Sequence, residues 1–205
     1  MRETRQSFMD GKERIPRYSI AVIVGSLRNG SFNRQLAEGL VRLAPEEFSF
    51  IPISIGDLPL YNQDDDDHPA DPVIRMKNAI RSADGLLIIS PEYNRSVPGV
   101  LKNAIDHGSR PTGQSVWAGK PAGIIGISPG TIGTALAQQH LRSILSFLDV
   151  SVMRQPEAYL RLREGMFNED GSIGEGSRQH LQGWMDHYCA WIRENARPDN
   201  MGAGR

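Results

Sequence analysis

Residues 18–33 read Tyr-Ser-Ile-Ala-Val-Ile-Val-Gly-Ser-Leu-Arg-Asn-Gly-Ser-Phe-Asn, and this stretch decides the architecture. Tyr18–Val24 is an unbroken apolar, β-branched run stopped by Gly25 and Ser26, the pattern of a strand buried on both faces. A polar loop from Ser26 to Ser31 follows, and then Phe32, Leu36, Leu40, Val41 and Leu43 recur at helical spacing up to Pro45. The same succession returns down the chain. Phe48–Ile53 predicts a second strand, Val73–Ser82 a helix, Gly85–Ile89 a third strand, and Gly99–His107 a helix opened by Pro98. Ala122–Ile127 reads as strand four, Leu136–Leu148 as a long helix, Val150–Met153 as a short last strand and Arg178–Arg193 as the closing helix. Parallel strands need crossover connections, so this alternation predicts an α/β domain whose five-stranded parallel sheet carries helices on both faces.

At 205 residues the chain fits one such domain. Residues 1–16 mix charges without a sustained period and are expected to be a mobile extension; the domain is expected over 17–195, with a flexible tail over 196–205. Leu162 to Gly176 reads as a polar excursion before the last helix. The balance of 23 Lys and Arg against 24 Asp and Glu offers no field for a polyanion or an anionic bilayer, so neither nucleic acid nor membrane is expected as a partner. No stretch approaches the ~20 apolar residues of a membrane span, and the charged N-terminus lacks the apolar core of a secretory signal, so a cytoplasmic location is expected. The single cysteine, Cys189, agrees with a reducing compartment.

In doubly wound sheets ligands bind beyond the C-terminal strand ends, near the point where the strand order reverses. Three loops are therefore candidates. The first, Gly25 to Asn33, offers two hydroxyls, a guanidinium and backbone N–H groups at a helix N-terminus, an inventory suited to a phosphate. It is neither Gly-x-Gly-x-x-Gly nor a Gly-Lys-Ser/Thr loop, so a monophosphate fits better than a pyrophosphate. The competing reading makes Ser31 only an N-cap and Gly25 only a turn residue. The second loop, Ser90 to Gly99, carries Pro91, Glu92, Tyr93, Asn94 and Arg95 and could line a flat heteroaromatic ring, or merely shape a tight strand-to-helix link. The third, Ser128-Pro129-Gly130-Thr131-Ile132-Gly133, is short and Gly-rich, so its backbone can approach a ligand closely.

Taken together, GSLRNGSFN (25–33), PEYNRSVPGVLKNAID (91–106) and SPGTIG (128–133) resemble the NADPH-dependent FMN reductase family, in its quinone and chromate reductase branch, over roughly Ile20 to Arg193. The resemblance implies a flavodoxin-like sheet of order 2-1-3-4-5 and non-covalent FMN, with NAD(P)H as co-substrate. By it, Ser26, Arg28, Ser31, Phe32 and Asn33 hold the phosphate and the start of the ribityl chain. Pro91, Glu92, Tyr93 and Asn94 border the isoalloxazine, and Ser128 and Gly130 close the pocket. A ping-pong reaction is then expected: hydride from NAD(P)H to flavin, followed by two electrons to a quinone or another small acceptor such as chromate. Separately from the resemblance, the charge of Arg95 is expected to draw in an anionic acceptor. It further implies a homodimer or homotetramer in which a second copy covers part of each flavin. Ser128-Pro129-Gly130 and Arg95 are positions where the family varies.

Other features are set aside. The run Asp64 to Asp67 with His68 lacks a metal-ligand pattern and reads as a solvated loop, so no metal is expected. Cys189 lies among Leu181, Trp184, Met185, Tyr188 and Ile192 and reads as a core or interface filler. His107 follows a helix and could as well cap it as reach a ligand. Two rivals share the architecture. A flavodoxin-type electron carrier would show strong acidity and a Thr-rich phosphate loop, and a nucleotide-sensing module would not turn NAD(P)H over.

Overall fold

The computed structural model describes residues 18–196. The N-terminal extension, and the expected tail beyond Ala196, lie outside the described residues. Ala196 itself closes the last helix through its N–H to Ile192 O at 2.7 Å.

Strands β1 (Tyr18–Val24), β2 (Phe48–Pro52), β3 (Gly85–Ile89) and β4 (Pro121–Ser128) follow the apolar runs, and helices α1 (Phe32–Val41), α2 (Asp71–Ser82), α3 (Gly99–Gly108), α4 (Ala135–Phe147) and α5 (Glu175–Asn195) lie between and after them. All pairings are parallel, in the order β2-β1-β3-β4-β5. Because side chains alternate along a strand, each apolar run feeds two cores. Ile20, Val22, Leu87, Ile89, Ile125 and Ile127 pack under α1 and α5. Ala21, Ile23, Leu86, Ile88, Ala122 and Ile124 pack under α2, α3 and α4. Each fully buried Leu, Ile or Val contributes about 1.5–3 kcal/mol, which is why strands this apolar cannot leave either face uncovered.

The fifth strand differs from expectation. Only Ser151–Val152 (β5) pairs with the start of β4; the chain then leaves the ladder and returns as β6 (Tyr159–Arg161), which pairs with Gly126, Ile127 and Ser128 at the other end of β4. The sheet is thus six-stranded, one strand more than the sequence predicts. Side chains of α4 replace the missing ladder bonds: Arg142 Nη1 donates to Met153 O at 2.9 Å and Gln138 Nε2 to Ala158 O at 2.8 Å. Three residues carry no period-2 pattern, so β6 has no signal of its own. The segment after β6, Leu162 to Gly176, which the sequence marks as a polar excursion before the last helix, holds an antiparallel bridge between Phe167 and Ile173.

On α5 the residues Leu181, Trp184, Met185, Tyr188, Cys189 and Ile192 form the buried face, as their spacing predicts. Burial pushes the Cys189 thiol up to about 12, against an ordinary value of 9.0. The thiolate is the reactive form. In the native protein Cys189 is therefore expected to resist alkylation by iodoacetamide at pH 8 and to react fully once unfolded, as read by intact mass. The sign for stability follows: above pH 9 the unfolded chain gives up this proton while the folded chain keeps it, so this group lowers stability as pH rises from about 9 toward 12.

Where β3 and β4 end, Gly126 makes the close packing possible. A Cβ there would collide with the backbone oxygen of Ser90 and come within 2.6 Å of Thr134 Oγ1. Gly126→Ala is expected to cost about 1–3 kcal/mol, measured as a lowered midpoint in urea, because neither the strand nor the buried Thr134 can move aside freely.

Candidate active site

The sheet order reverses between β1 and β3, and β1, β3 and β4 are neighbours, so the three loops that follow them emerge side by side. Gly25 N donates to Ile89 O at 2.8 Å and Ser90 N to Ile125 O at 3.1 Å, so the ladders run unbroken up to the first residues of the first two loops. The winding change leaves a crevice above this junction, since the helices that follow β1 and β3 pass to opposite faces.

The first loop is a turn with unspent donors. Ser31 caps α1, its Oγ accepting from Arg34 N at 3.3 Å, and its N–H closes a turn to Arg28 O at 3.1 Å. Among the described residues, the N–H groups of Ser26, Leu27, Arg28, Asn29, Gly30, Phe32 and Asn33 donate to no protein acceptor. The first turn of α1 holds no acidic side chain, so its partial positive charge is not neutralised from within. The Arg28 guanidinium stacks over the Phe32 ring at 4.8 Å and stays exposed, while Ser26 and Ser31 are buried at its base. Asn33 plays another part as well: its Nδ2 donates to Ile127 O at 2.9 Å and its Oδ1 accepts from Ile127 N at 3.0 Å. Its amide thereby fastens the start of α1 to β4, 94 residues away in sequence.

The second loop is more constrained than its prolines alone suggest. Tyr93 and Ser96 exchange both backbone hydrogen bonds, at 3.1 and 3.0 Å, around Asn94 and Arg95, whose φ values are 49° and 65°. Two successive left-handed residues make the tight turn usual in hairpins, a conformation glycine adopts freely and Arg only at about 1 kcal/mol or more. This turn spends the Tyr93 N–H, leaving those of Glu92, Asn94 and Arg95 without protein acceptors. The Glu92 carboxylate points to α4: its Oε2 accepts from Leu136 N at 2.9 Å and Ala137 N at 3.1 Å, capping a helix whose own N-cap residue, Thr134, makes no side-chain cap bond. Arg95 Nη1 stands 3.7 Å from Glu92 Oε1 with its side chain 68% exposed. Pro91 is buried and Tyr93 exposed.

The third loop is folded on itself. Ser128 Oγ donates to Gly133 O at 2.6 Å and accepts from Gly130 N at 3.2 Å, so its hydroxyl shapes the loop that Gly130 caps at the surface. Gly133, at φ 62°, lies where a Cβ would come within 2.6 Å of the Tyr159 carbonyl carbon.

One further group borders this region without a sequence signal. His140 on α4 lies with Nδ1 2.9 Å from Ser96 Oγ. His107, on α3, neither caps the helix nor faces the three loops: its Nε2 is 2.9 Å from Pro59 O, and with Asn103 it pins the segment Pro59 to Tyr61 along α3. The acidic run forms a short 3-10 turn at Gln63–Asp65 capped by Asn62. A separate cavity of about 630 Å³ lies between α1 and the end of β2. It shares Ser26 and Leu27 with the first loop and none of its lining with the other two, so it is not the crevice.

Residues 18–163 match the family model for NADPH-dependent FMN reductase. The chain is 55% identical over 176 residues to a 2-hydroxy-1,4-benzoquinone reductase of a Burkholderia species, an alignment covering 85% of this chain and 96% of that one. It is 46% identical over 179 residues to a quinone reductase of Pseudomonas putida, covering 87% and 96% respectively. Among solved structures it resembles FerB, a flavoenzyme NAD(P)H:(acceptor) oxidoreductase of Paracoccus denitrificans, at a TM-score of 0.85 and 44% identity, over 88% of this chain and all of that one. With its sheet order and these likenesses in agreement, the chain belongs to the NADPH-dependent FMN reductase family.

Proposed function

We propose that this protein is an FMN-dependent NAD(P)H oxidoreductase that reduces quinones by two electrons. The observation that carries the reading is the concentration of unspent N–H donors at the winding reversal: seven on the Ser26–Asn33 turn and its helix, and those of Glu92, Asn94 and Arg95 on the adjoining turn. Such donors and an exposed guanidinium fit a phosphate on the first loop and an electron-rich heterocycle edge on the second. FMN held there would supply the redox chemistry, as hydride acceptor toward NAD(P)H and two-electron donor toward the quinone.

The residues of the chain bind and orient. Ser26 and Ser31 offer hydroxyls at the base of the turn, Arg28 offers a forked donor above it, and Phe32 backs the guanidinium so that it stays at the rim. Asn33 keeps the turn against β4 and lends its N–H. Pro91, Glu92, Tyr93 and Asn94 form the ring's border, Glu92 through its backbone because its carboxylate is occupied at α4. Ser128 and Gly130 close the third side. Arg95, loosely paired and exposed, draws in anionic acceptors; a hydroxyquinone, which ionises readily, and chromate are of that class. The exposed apolar side chains Leu60 and Phe147, 86% and 89% accessible, support self-association into a dimer or tetramer whose second copy shelters the acceptor side. A buried, unpaired Cys189 agrees with a cytoplasmic location.

Purified protein is expected to show flavin absorbance that bleaches anaerobically with NADPH or NADH and returns on adding a quinone. Protein that stays colourless after incubation with FMN refutes the reading, and bands that no nicotinamide bleaches would mark a carrier or sensor instead. Arg28→Ala is expected to weaken FMN binding about 10- to 100-fold, the range of a hydrogen bond to a charged group, while far-UV circular dichroism stays unchanged. Equal FMN affinity in this variant would show that the first loop does not hold the phosphate.

A further inference from the structure

The Asn94-Arg95 turn is fastened to α4 at both of its ends. At the entry, Glu92 Oε2 accepts the Leu136 and Ala137 N–H groups at 2.9 and 3.1 Å. At the exit, Ser96 Oγ meets His140 Nδ1 at 2.9 Å, one helical turn further along the same helix. The two anchors bracket the two left-handed residues, φ 49° and 65°. Between the anchors the turn is closed by the Tyr93–Ser96 backbone pair, at 3.1 and 3.0 Å, and the Arg95 side chain has only a long ion pair to Glu92, at 3.7 Å. Beside the exit anchor, a hollow of about 270 Å³ lined by Ser96, Val97, Lys102, His140, Ser143 and Ile144 gives the turn room to relax when its exit is released.

Strained backbone persists only where its surroundings over-determine it. We infer that His140 is a positioning residue: through Ser96 it holds the exit of the turn, and with Glu92 it keeps the Asn94 and Arg95 N–H groups aimed at the edge of the flavin. The inference rests on the proposed flavin border, and its chemistry is mechanical. Preorganised donors stabilise charge that develops on reduction only while they do not have to reorganise. Releasing the exit leaves the Tyr93–Ser96 backbone pair alone to hold Asn94 and Arg95 at positive φ, so the turn opens more often to negative φ, which turns those N–H groups away.

Arg95 supplies its own probe, because trypsin cleaves after it only when the turn opens. In the full-length protein, His140→Ala is expected to raise the rate of cleavage at Arg95 about fivefold, the scale of one net hydrogen bond. Ser96→Ala should do the same, and the double variant should add nothing further, since both remove one interaction. His140→Asn, which places a polar amide atom where Nδ1 stands, should restore slow cleavage. With FMN bound, His140→Ala and Ser96→Ala should shift the flavin midpoint potential in the same direction, and His140→Asn should return it. Unchanged cleavage in His140→Ala, additive effects, or equal acceleration at tryptic sites away from the turn overturns the latch. Faster cleavage at Arg95 with an unmoved flavin potential overturns its link to the flavin. The cleavage measurement does not depend on flavin, so failure of the latch is distinguishable from failure of the cofactor reading.

Discussion

Strands β1, β3 and β4 are apolar on both faces, and the need to cover both faces governs the rest of the molecule. One layer of helices would leave half of Ile20 to Ile23, Leu86 to Ile89 and Ile124 to Ile127 in water. The chain therefore winds outward from β1 through α1 in one direction and back through α2 in the other. A reversal of this kind cannot be closed over by its own connections, because the helices diverge from it. What is left is a crevice with loop backbone for walls.

Within that crevice the polar groups are divided by task. Carboxylate and amide side chains are largely used for construction: Glu92 caps α4, and Asn33 joins α1 to β4. Backbone N–H groups of the first two loops are left without protein acceptors. This division suits an anionic, electron-accepting partner, since a buried carboxylate facing the same space would oppose it. Turning Glu92 onto a helix N-terminus removes its charge from the site and stabilises α4 at once, a case of the favourable pairing between acidic groups and the positive end of a helix.

The rigid frame also explains why strain is tolerated in the second loop. Arg95 occupies a conformation that glycine would adopt more cheaply, and α4 lies alongside as a stiff rail to which the turn can be attached. The rail is itself held by the break between β5 and β6, where Gln138 and Arg142 serve the carbonyls that the interrupted strand leaves open. Site and sheet edge are thus joined through opposite faces of one helix.

From the sequence alone came the alternation of elements, the two-faced burial of the strands, the α5 core face with Cys189 in it, and the three loops where a ligand would lie. These are legible because they depend on neighbours in the chain: a run of β-branched residues, a spacing of three and four, a serine before a helix. The pairs Glu92 with Leu136, Asn33 with Ile127, Ser96 with His140 and His107 with Pro59 span 44, 94, 44 and 48 residues, and no local pattern announces them. Strand β6 was hidden for a related reason, being three residues long and defined by its register on β4. Local periodicity fixes which faces are apolar, and so the fold. Which polar atom is spent on structure and which remains free for chemistry is decided only when distant segments meet, because a hydrogen bond is settled within about 3 Å and not by order along the chain.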